Sequence, residues 1–171
     1  AMHVAVEHLF SMGHRRIAYA YETSNDNNQN MVFSAEARLH GLMETAEKRK
    51  MTVERIAIRN YEDATNTILN SLLTMDPPTA LYCESDELAL PVIYKLCQYG
   101  HAVPQELSVI GFDDVPLAAK IGLTTLHHDP FNMGENAARK MLSVMSGKTP
   151  KPLHETLQAQ LMMHETTAFI D

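Results

Sequence analysis

Four groups of polar residues, each directly after a short apolar segment, are the positions in this chain best suited to bind a ligand. They occupy positions 22–25, 60–61, 84–86 and 113–114. Carboxylate and amide groups accept hydrogen bonds from hydroxyl groups, and Tyr61, the only aromatic residue among them, offers a ring face to apolar C–H groups. Such a set suits a small polyhydroxylated molecule.

Signals for catalysis and for metal binding are weak. The sequence has no GxSxG nucleophile motif and no glycine-rich phosphate loop. The acidic pair at 113–114 with Lys120 imitates a phosphoacceptor set, but such a pair should follow a first strand and here follows a fourth. A metal site at 127–129 (His-His-Asp) is disfavoured because adjacent residues of a strand point to opposite faces. We therefore expect no catalytic residue, no metal and no cofactor.

Strand and helix patterns alternate along the chain and predict how the polar groups are positioned. Short apolar segments predict strands at 16–21, 53–58, 80–83 and 107–112, and an extended segment at 124–128. Helical patterns separate them, so the strands run parallel and the fold class is α/β, with a three-layer parallel sheet. Sheets of this kind bind ligands beyond the carboxyl ends of their strands, which is where the polar groups lie.

Capping signals mark two of the helices. Asp129 and Pro130 predict the start of a helix whose apolar residues face inward. Ser85 or Asp86 caps another helix, in which Pro91 removes one backbone hydrogen bond.

Composition limits the class of protein. The chain has 171 residues and a formal net charge of −7, with 45% hydrophobic and 20% charged residues, which argues for a globular domain and against disorder. Its acidic balance argues against direct contact with nucleic acid phosphates. Cys83 and Cys97 lie in apolar segments and predict buried free thiols, which suits a cytoplasmic protein. No apolar run approaches the roughly 18 residues that a membrane span needs. The chain begins inside an amphipathic helix, which indicates a fragment of a longer protein.

Five segments carry motifs in a fixed order: GHRRIA at 13–18, the set Ser34, Arg38 and Gly41, ALYCESDELAL at 80–90, VPQELSVIGFDD at 103–114 and LTTL at 123–126. Together they resemble the lactose-repressor/galactose-repressor (LacI/GalR) family of bacterial transcription regulators. The resemblance runs from residue 3 to residue 150. Five such motifs in series are hard to obtain by chance.

The resemblance implies the C-terminal lobe of a periplasmic-binding-protein-like type I sensor, without the DNA-binding domain. It implies four parts. These are a helix from the junction with the missing N-terminal lobe (1–12), the C-terminal lobe (13–125), a crossover strand and helix of the N-terminal lobe (126–152) and a return segment to the C-terminal lobe (153–171).

The candidate ligand-binding residues are Arg38, Tyr61, Ser85, Asp86, Asp113 and His128. By resemblance, Arg38 matches the effector-binding arginine and Asp113 the strand-end aspartate that accepts effector hydroxyls. Tyr61 falls near the aromatic that packs against the ligand, and Ser85 replaces the usual asparagine. Plainer roles are open for several of them: Arg38 as a solvated charge, Ser85 and Asp86 as helix caps.

The leading hypothesis is the effector-binding and dimerisation portion of a LacI-type regulator. It would bind a carbohydrate and control operator binding allosterically by a DNA-binding domain outside this chain. The family implies a homodimer, formed here through the helices that start near Asp63 and Ser85. Two alternatives remain open: a secreted sugar-binding receptor of a transport system, and an α/β enzyme.

Overall fold

A computed structural model describes residues 2–23, 29–58, 61–72, 75–152 and 154–170. Within these ranges, the side chains at 29–35 and 61–63 are outside the description.

Six helices and six strands make up the described part of the chain. The helices are α1 (Met2–Ser11), α2 (Gln29–Lys48), α3 (Tyr61–Leu72), α4 (Asp86–Gln98), α5 (Pro116–Lys120) and α6 (Pro130–Met145). The strands are β1 (Arg16–Glu22), β2 (Thr52–Ile58), β3 (Ala80–Cys83), β4 (Ser108–Phe112), β5 (Thr124–His127) and β6 (Gln160–Met162). The five strand segments predicted from the sequence are confirmed to within one residue at each end.

One sheet contains all of these strands, in the order β2-β1-β3-β4-β5-β6. The pairings from β2 through β5 are parallel, and β6 returns antiparallel to β5. The α/β class with a mostly parallel sheet is thus confirmed. The carboxyl ends of β1, β3, β4 and β5 meet at one edge, because parallel strands point the same way.

Two apolar cores lie on opposite faces of the sheet and make the fold three-layered. On one face α1 and α2 cover Tyr19, Tyr82 and Phe112. On the other face α3 and α4 cover Leu81 and Val109. All four residues of β3 are buried because both faces of this central strand are covered.

The N-terminal end of α4 follows its predicted capping signal. Ser85 has extended backbone geometry, and its hydroxyl accepts a hydrogen bond from the Leu88 N–H at 3.2 Å. The helix continues through Pro91 to Gln98, although Pro91 lacks the N–H that would bond one turn back.

Helix α6 departs from its predicted burial. Its start is as expected, since the Asp129 carboxylate accepts a hydrogen bond from Asn132 N at 2.9 Å and Pro130 occupies the first turn. None of its residues is buried, however, and Phe131 is 80% exposed. The inward packing that the helical pattern predicts is not seen, because no described element covers the apolar side. The resemblance left three other arrangements open for a helix of the missing lobe, namely exposure, packing on the first helix and exchange between chains, and the described chain has the exposed one.

The return segment closes the amino-end edge of the sheet. The buried His14 ring bonds to Thr79 Oγ1 at 2.9 Å and to the Ala168 carbonyl at 3.1 Å. Thr166 accepts a hydrogen bond from Val109 N at its carbonyl, and its hydroxyl donates to the Val109 carbonyl. The segment from 164 to 170 therefore completes hydrogen bonds that the central strands leave open.

Two further expectations have simple outcomes. Cys83 is buried as predicted, but Cys97 is exposed, since it lies on a side of α4 that no described element covers. No described helix is both long and apolar enough to cross a bilayer.

Candidate functional site

Arg38 of α2 lies over the carboxyl-end edge of the sheet. Its guanidinium carbon is 4.3 Å from the centre of the Phe112 ring, at the last residue of β4. Its Nη1 donates a hydrogen bond to the Glu84 carbonyl oxygen at 3.2 Å, just after β3. A guanidinium held against an aromatic face is restricted in direction and keeps donors for a ligand. Arg38 is therefore a positioned charge.

Asp113 follows Phe112 in a tight turn with unusual backbone angles. Its φ is 109°, and that of Asp114 is 58°, so two consecutive non-glycine residues have positive φ. Such conformations cost free energy and persist where the surroundings impose them, often at ligand sites. Burial raises the pKa of the Asp113 carboxyl, and the charges of His128 and Arg38 offset part of that rise. The structure therefore brings Arg38 and Asp113 to the same edge of the sheet, where the Arg38 charge acts on the Asp113 carboxyl.

Two histidines at the end of β5 lie beside the acidic turn. His128 Nδ1 is 3.7 Å from Asp113 Oδ1, and His127 Nδ1 is 3.1 Å from Asp114 Oδ2. The His128 ring stacks on Phe112 with 5.2 Å between ring centres. Phe112 thus contacts both the Arg38 guanidinium and the His128 imidazole, which brings His128 to the site.

Glu84 is a site residue whose individual role the sequence did not reveal. It directly follows β3, and its Oε1 accepts a hydrogen bond from the Glu22 N–H at 2.6 Å. Burial raises the pKa of Glu84, while the Glu22 N–H and the Arg38 charge act against that rise. Its place at the end of a fully buried strand was the available signal.

Three tyrosines form a ring cluster beneath this edge on the α2 side. The Tyr19 ring lies 5.5 Å from the rings of both Tyr21 and Tyr82. Burial raises the pKa of Tyr19; the Glu84 charge adds to that rise and the Arg38 charge opposes it. The sequence pattern predicts these residues as strand interior, which is correct but hides their closeness to the site.

Asp86 supports the acidic turn from inside the protein. It is fully buried, its Oδ1 accepts a hydrogen bond from Thr125 Oγ1 at 2.6 Å, and its Oδ2 accepts one from Val115 N at 2.9 Å. A Cβ placed on Gly111 would be 2.1 Å from Asp86 Oδ1, so glycine is needed there. This geometry favours a supporting role for Asp86 over the predicted ligand contact.

The remaining candidates are only partly described. The Ser85 hydroxyl is half-buried and serves as the cap of α4, next to Glu84. Tyr61 begins α3, but its side chain lies outside the described residues. Among the described residues, no group of three or more His, Cys, Asp or Glu side chains could hold a metal ion.

The arrangement as a whole matches a known domain. A model of the periplasmic binding protein-like domain matches residues 6–167. The chain belongs to this family, as the resemblance implied for its fold.

Curated transcription regulators align with nearly the whole chain. The regulator reg1 of Streptomyces lividans is 33% identical over 98% of this chain and 50% of its own length. The regulator MalR of Streptomyces coelicolor is 32% identical over 98% of this chain and 49% of its own length. The arabinose metabolism transcriptional repressor of Geobacillus stearothermophilus is 27% identical over 94% and 45%. All three are described as transcriptional regulators or repressors and none as an enzyme. The chain thus spans about half the length of these relatives.

Solved LacI-type structures have the same fold. A dimeric Lac repressor is 25% identical with a TM-score of 0.83, over 99% of this chain and 61% of that one. A LacI transcriptional regulator from a Rhodococcus species is 26% identical with a TM-score of 0.81, over 98% and 61%. Each comparison leaves more than a third of the solved chain without a counterpart here.

Proposed function

We propose that this chain is the effector-binding portion of a LacI-type transcription regulator and that its effector is a carbohydrate. One observation carries the proposal: Arg38 from α2 and Asp113 from the end of β4 reach the same edge of the sheet. The Arg38 guanidinium lies over the Phe112 ring, and Asp113 is the next residue in the chain. The name of the arabinose metabolism repressor supports a sugar-related role.

The chemistry of the two side chains suits hydroxyl groups. A guanidinium donates several hydrogen bonds from a planar fork, and a carboxylate accepts them from adjacent hydroxyls. The partly exposed His128 ring, held in place by stacking on Phe112, provides a face for apolar C–H groups of a sugar ring. Of the predicted contacts, we retain Arg38, Asp113, His128, Ser85 and Tyr61 in the proposed site and assign Asp86 to its support.

Helix α6 provides a route from the site to a second lobe. It follows His127 and His128 directly, and its apolar residues Phe131, Met141 and Met145 are exposed. We propose that residues 13–125 form the C-terminal lobe and that residues 126–152, which include α6, belong to an N-terminal lobe whose other parts cover the apolar side of this helix. Residues 1–12 and 153–171 would connect the two lobes. Closure of both lobes on the effector would then change operator binding by an attached DNA-binding domain.

The size of that control follows from differential binding. An effector shifts the regulator between two states only by its difference in affinity for them. Coupling free energies of about 1–3 kcal/mol are typical and change operator affinity about 5–150-fold.

We further propose that the regulator is a cytoplasmic homodimer and that α4 and α5 contribute to its interface with α3. Tyr94 on α4 is 63% exposed, and Leu117 on α5 is 50% exposed, which leaves apolar area for a partner subunit. Multi-angle light scattering on the full-length protein and on a Tyr94→Glu variant tests this: the wild type should be a dimer and the variant should dissociate.

A thermal-shift screen of the full-length regulator against neutral pentoses and hexoses tests the proposed effector class. At least one sugar should raise the melting temperature, and Arg38→Ala and Asp113→Ala should each abolish that rise without unfolding the protein. Glu47→Ala, a change at an exposed residue of the last turn of α2, is the matched control and should retain the rise. Retention of the full shift in Asp113→Ala would contradict the proposal.

A further inference from the structure

Among the described residues, carboxylates outnumber cationic side chains at the proposed effector site. Glu22 and Asp113 both act electrostatically on Glu84, and Arg38 is the described guanidinium that acts on Glu84 and on Asp113. Arg38 directs its hydrogen bond to the Glu84 backbone carbonyl and lies over Phe112, and it forms no ion pair with these carboxylates. The described part of the site therefore has more negative than positive side chains before any ligand binds.

Glu84 is the carboxylate with the weakest compensation. Asp113 has the His128 imidazole at 3.7 Å, whereas no cationic side chain in the described part of the chain lies within 4 Å of the Glu84 carboxylate. One Glu84 oxygen accepts the Glu22 N–H. The other accepts no hydrogen bond from any described residue.

The Tyr19 hydroxyl is a second group without a partner at the same place. It is fully buried, it has no hydrogen bond to any described residue, and Glu84 and Arg38 are the leading charges that act on it. A buried hydroxyl without a partner costs about 1–3 kcal/mol, so such groups usually have a polar neighbour supplied from elsewhere. The Tyr19 hydroxyl and one Glu84 carboxylate oxygen thus both lack a described hydrogen-bond partner on the same side of the site.

Closure of a second lobe over the site would make the charge of the ligand important for binding. Once a second lobe excludes water, an unpaired carboxylate becomes costly, and a neutral polyol supplies no charge to offset it. A phosphate or carboxylate on the ligand would add repulsion. A protonated amine would donate up to three hydrogen bonds and pair directly with the carboxylate.

We propose that the effector is an amino sugar or a similar aminated polyol, whose ammonium group binds Glu84 while its hydroxyls bind Arg38 and Asp113. This inference rests on the proposed carbohydrate site and adds the charge of the ligand to it.

Isothermal titration calorimetry on the full-length regulator tests the inference with matched trios. The probes are glucosamine, glucose and N-acetylglucosamine, the corresponding galactose series, and glucose 6-phosphate as the anionic probe. Because hydrogen bonds to charged groups are stronger than neutral ones, an amine should bind about tenfold tighter than its neutral parent. The acetylated and phosphorylated sugars should bind more weakly than the amine.

Glu84→Gln removes the charge but keeps an oxygen for the Glu22 N–H. It should reduce amine binding by about tenfold and abolish the preference for the amine, whereas neutral-sugar binding should not weaken, because the uncompensated charge is gone. Glu47→Gln, the matched control on α2, should retain the full preference. Among the residues outside the described part, only Arg59 has a cationic side chain, so Arg59→Gln is included and should also retain the preference.

Each other outcome overturns the inference. If neutral sugars bind as tightly as amines and Glu84→Gln changes nothing, the ammonium assignment is wrong and the carbohydrate site stands. If an amine preference exists only in Arg59→Gln, Arg59 already supplies the compensating cation. If neither amines nor neutral sugars bind, the proposed function fails together with the inference.

Discussion

The two ends of the central sheet are made of the same strands but treat their polar groups in opposite ways. At the amino end, the His14 ring bonds to Thr79 Oγ1 and to the Ala168 carbonyl, and the Thr166 hydroxyl donates to the Val109 carbonyl, so these side chains have partners within the chain. At the carboxyl end, Glu84 and Asp113 are half-buried without full compensation. Polar groups that are hydrogen-bonded within the chain stabilise the fold. Polar groups that lack partners on a rigid framework can instead bind a ligand.

The frame of the carboxyl end should be the least tolerant point of the molecule. Gly111→Ala would place a Cβ against Oδ1 of Asp86, whose carboxylate is held by one hydrogen bond at each oxygen. We expect it to lower the free energy of unfolding by about 3 kcal/mol in urea titrations. Gly134→Ala is the control, because nothing lies within 4 Å of its added Cβ. In a helix it should be neutral or stabilise by about 1 kcal/mol. Equal urea midpoints for the two variants would refute the close packing at Gly111.

The closed amino end predicts a loss of stability without a loss of binding. His14→Ala removes the contacts to Thr79 and Ala168 and leaves a cavity, which should cost about 2 kcal/mol. Effector affinity in the full-length protein should stay within about twofold, since the ring lies at the edge opposite the site. His40→Ala, at an exposed position of α2, should change stability by less than about 0.5 kcal/mol. A His14→Ala variant with wild-type stability but weakened effector binding would invert the proposed division between the two ends.

Backbone strain allows a matched test at both ends. Asp113 has a φ of 109° and Lys50, just before β2 at the amino end, has a φ of 55°. Glycine relieves positive φ, so Asp113→Gly and Lys50→Gly should each raise the free energy of unfolding by about 0.5–1 kcal/mol. Only Asp113→Gly should weaken effector binding. If both variants, or neither, weakened effector binding, the proposed difference between the two ends of the sheet would be wrong.

The two ends should also respond to acid with opposite signs. Burial lowers the pKa of His14 below 6.5, so the unfolded chain binds the proton first, and stability is lost as pH falls below 6.5. Burial raises the pKa of Glu84 above 4.5, so the folded chain binds the proton first, and stability is gained as pH falls through that raised value. Urea titrations from pH 8 to pH 4 measure the free energy of unfolding. His14→Ala should lose less of it than the wild type as pH falls below 6.5, and Glu84→Gln should lack the gain that protonation of Glu84 gives the wild type.

Much of the frame could be predicted from the sequence. The strands around the site were found because parallel strands buried on both faces are short apolar runs, and the polar groups after them lie at one edge for topological reasons. Arg38 and Asp113 were selected by resemblance to family motifs, and the structure brings them to one site. Their positions depend on α2 and on the turn after β4, both of which local patterns predicted.

What the sequence could not supply depends on tertiary context. Asp86 looks like Asp113 in a sequence, and only its burial beneath Gly111 distinguishes a supporting carboxylate from an accessible one. The Tyr19 cluster, and the Glu84 oxygen that no described residue donates to, arise where α2 crosses the sheet. The exposure of α6 and Cys97 likewise depends on which surfaces other parts of the protein cover.

A double-mutant cycle on effector binding measures directly whether the carboxyl end works as one site. Arg38→Ala, Asp113→Asn and the double variant of the full-length regulator are titrated by calorimetry with the sugar that gives the largest thermal shift. Because both side chains are proposed to bind the same ligand beside Phe112, their effects should be coupled by more than about 0.5 kcal/mol. Single variants that bind the sugar as tightly as wild type, or losses that add independently, would contradict a shared site for Arg38 and Asp113.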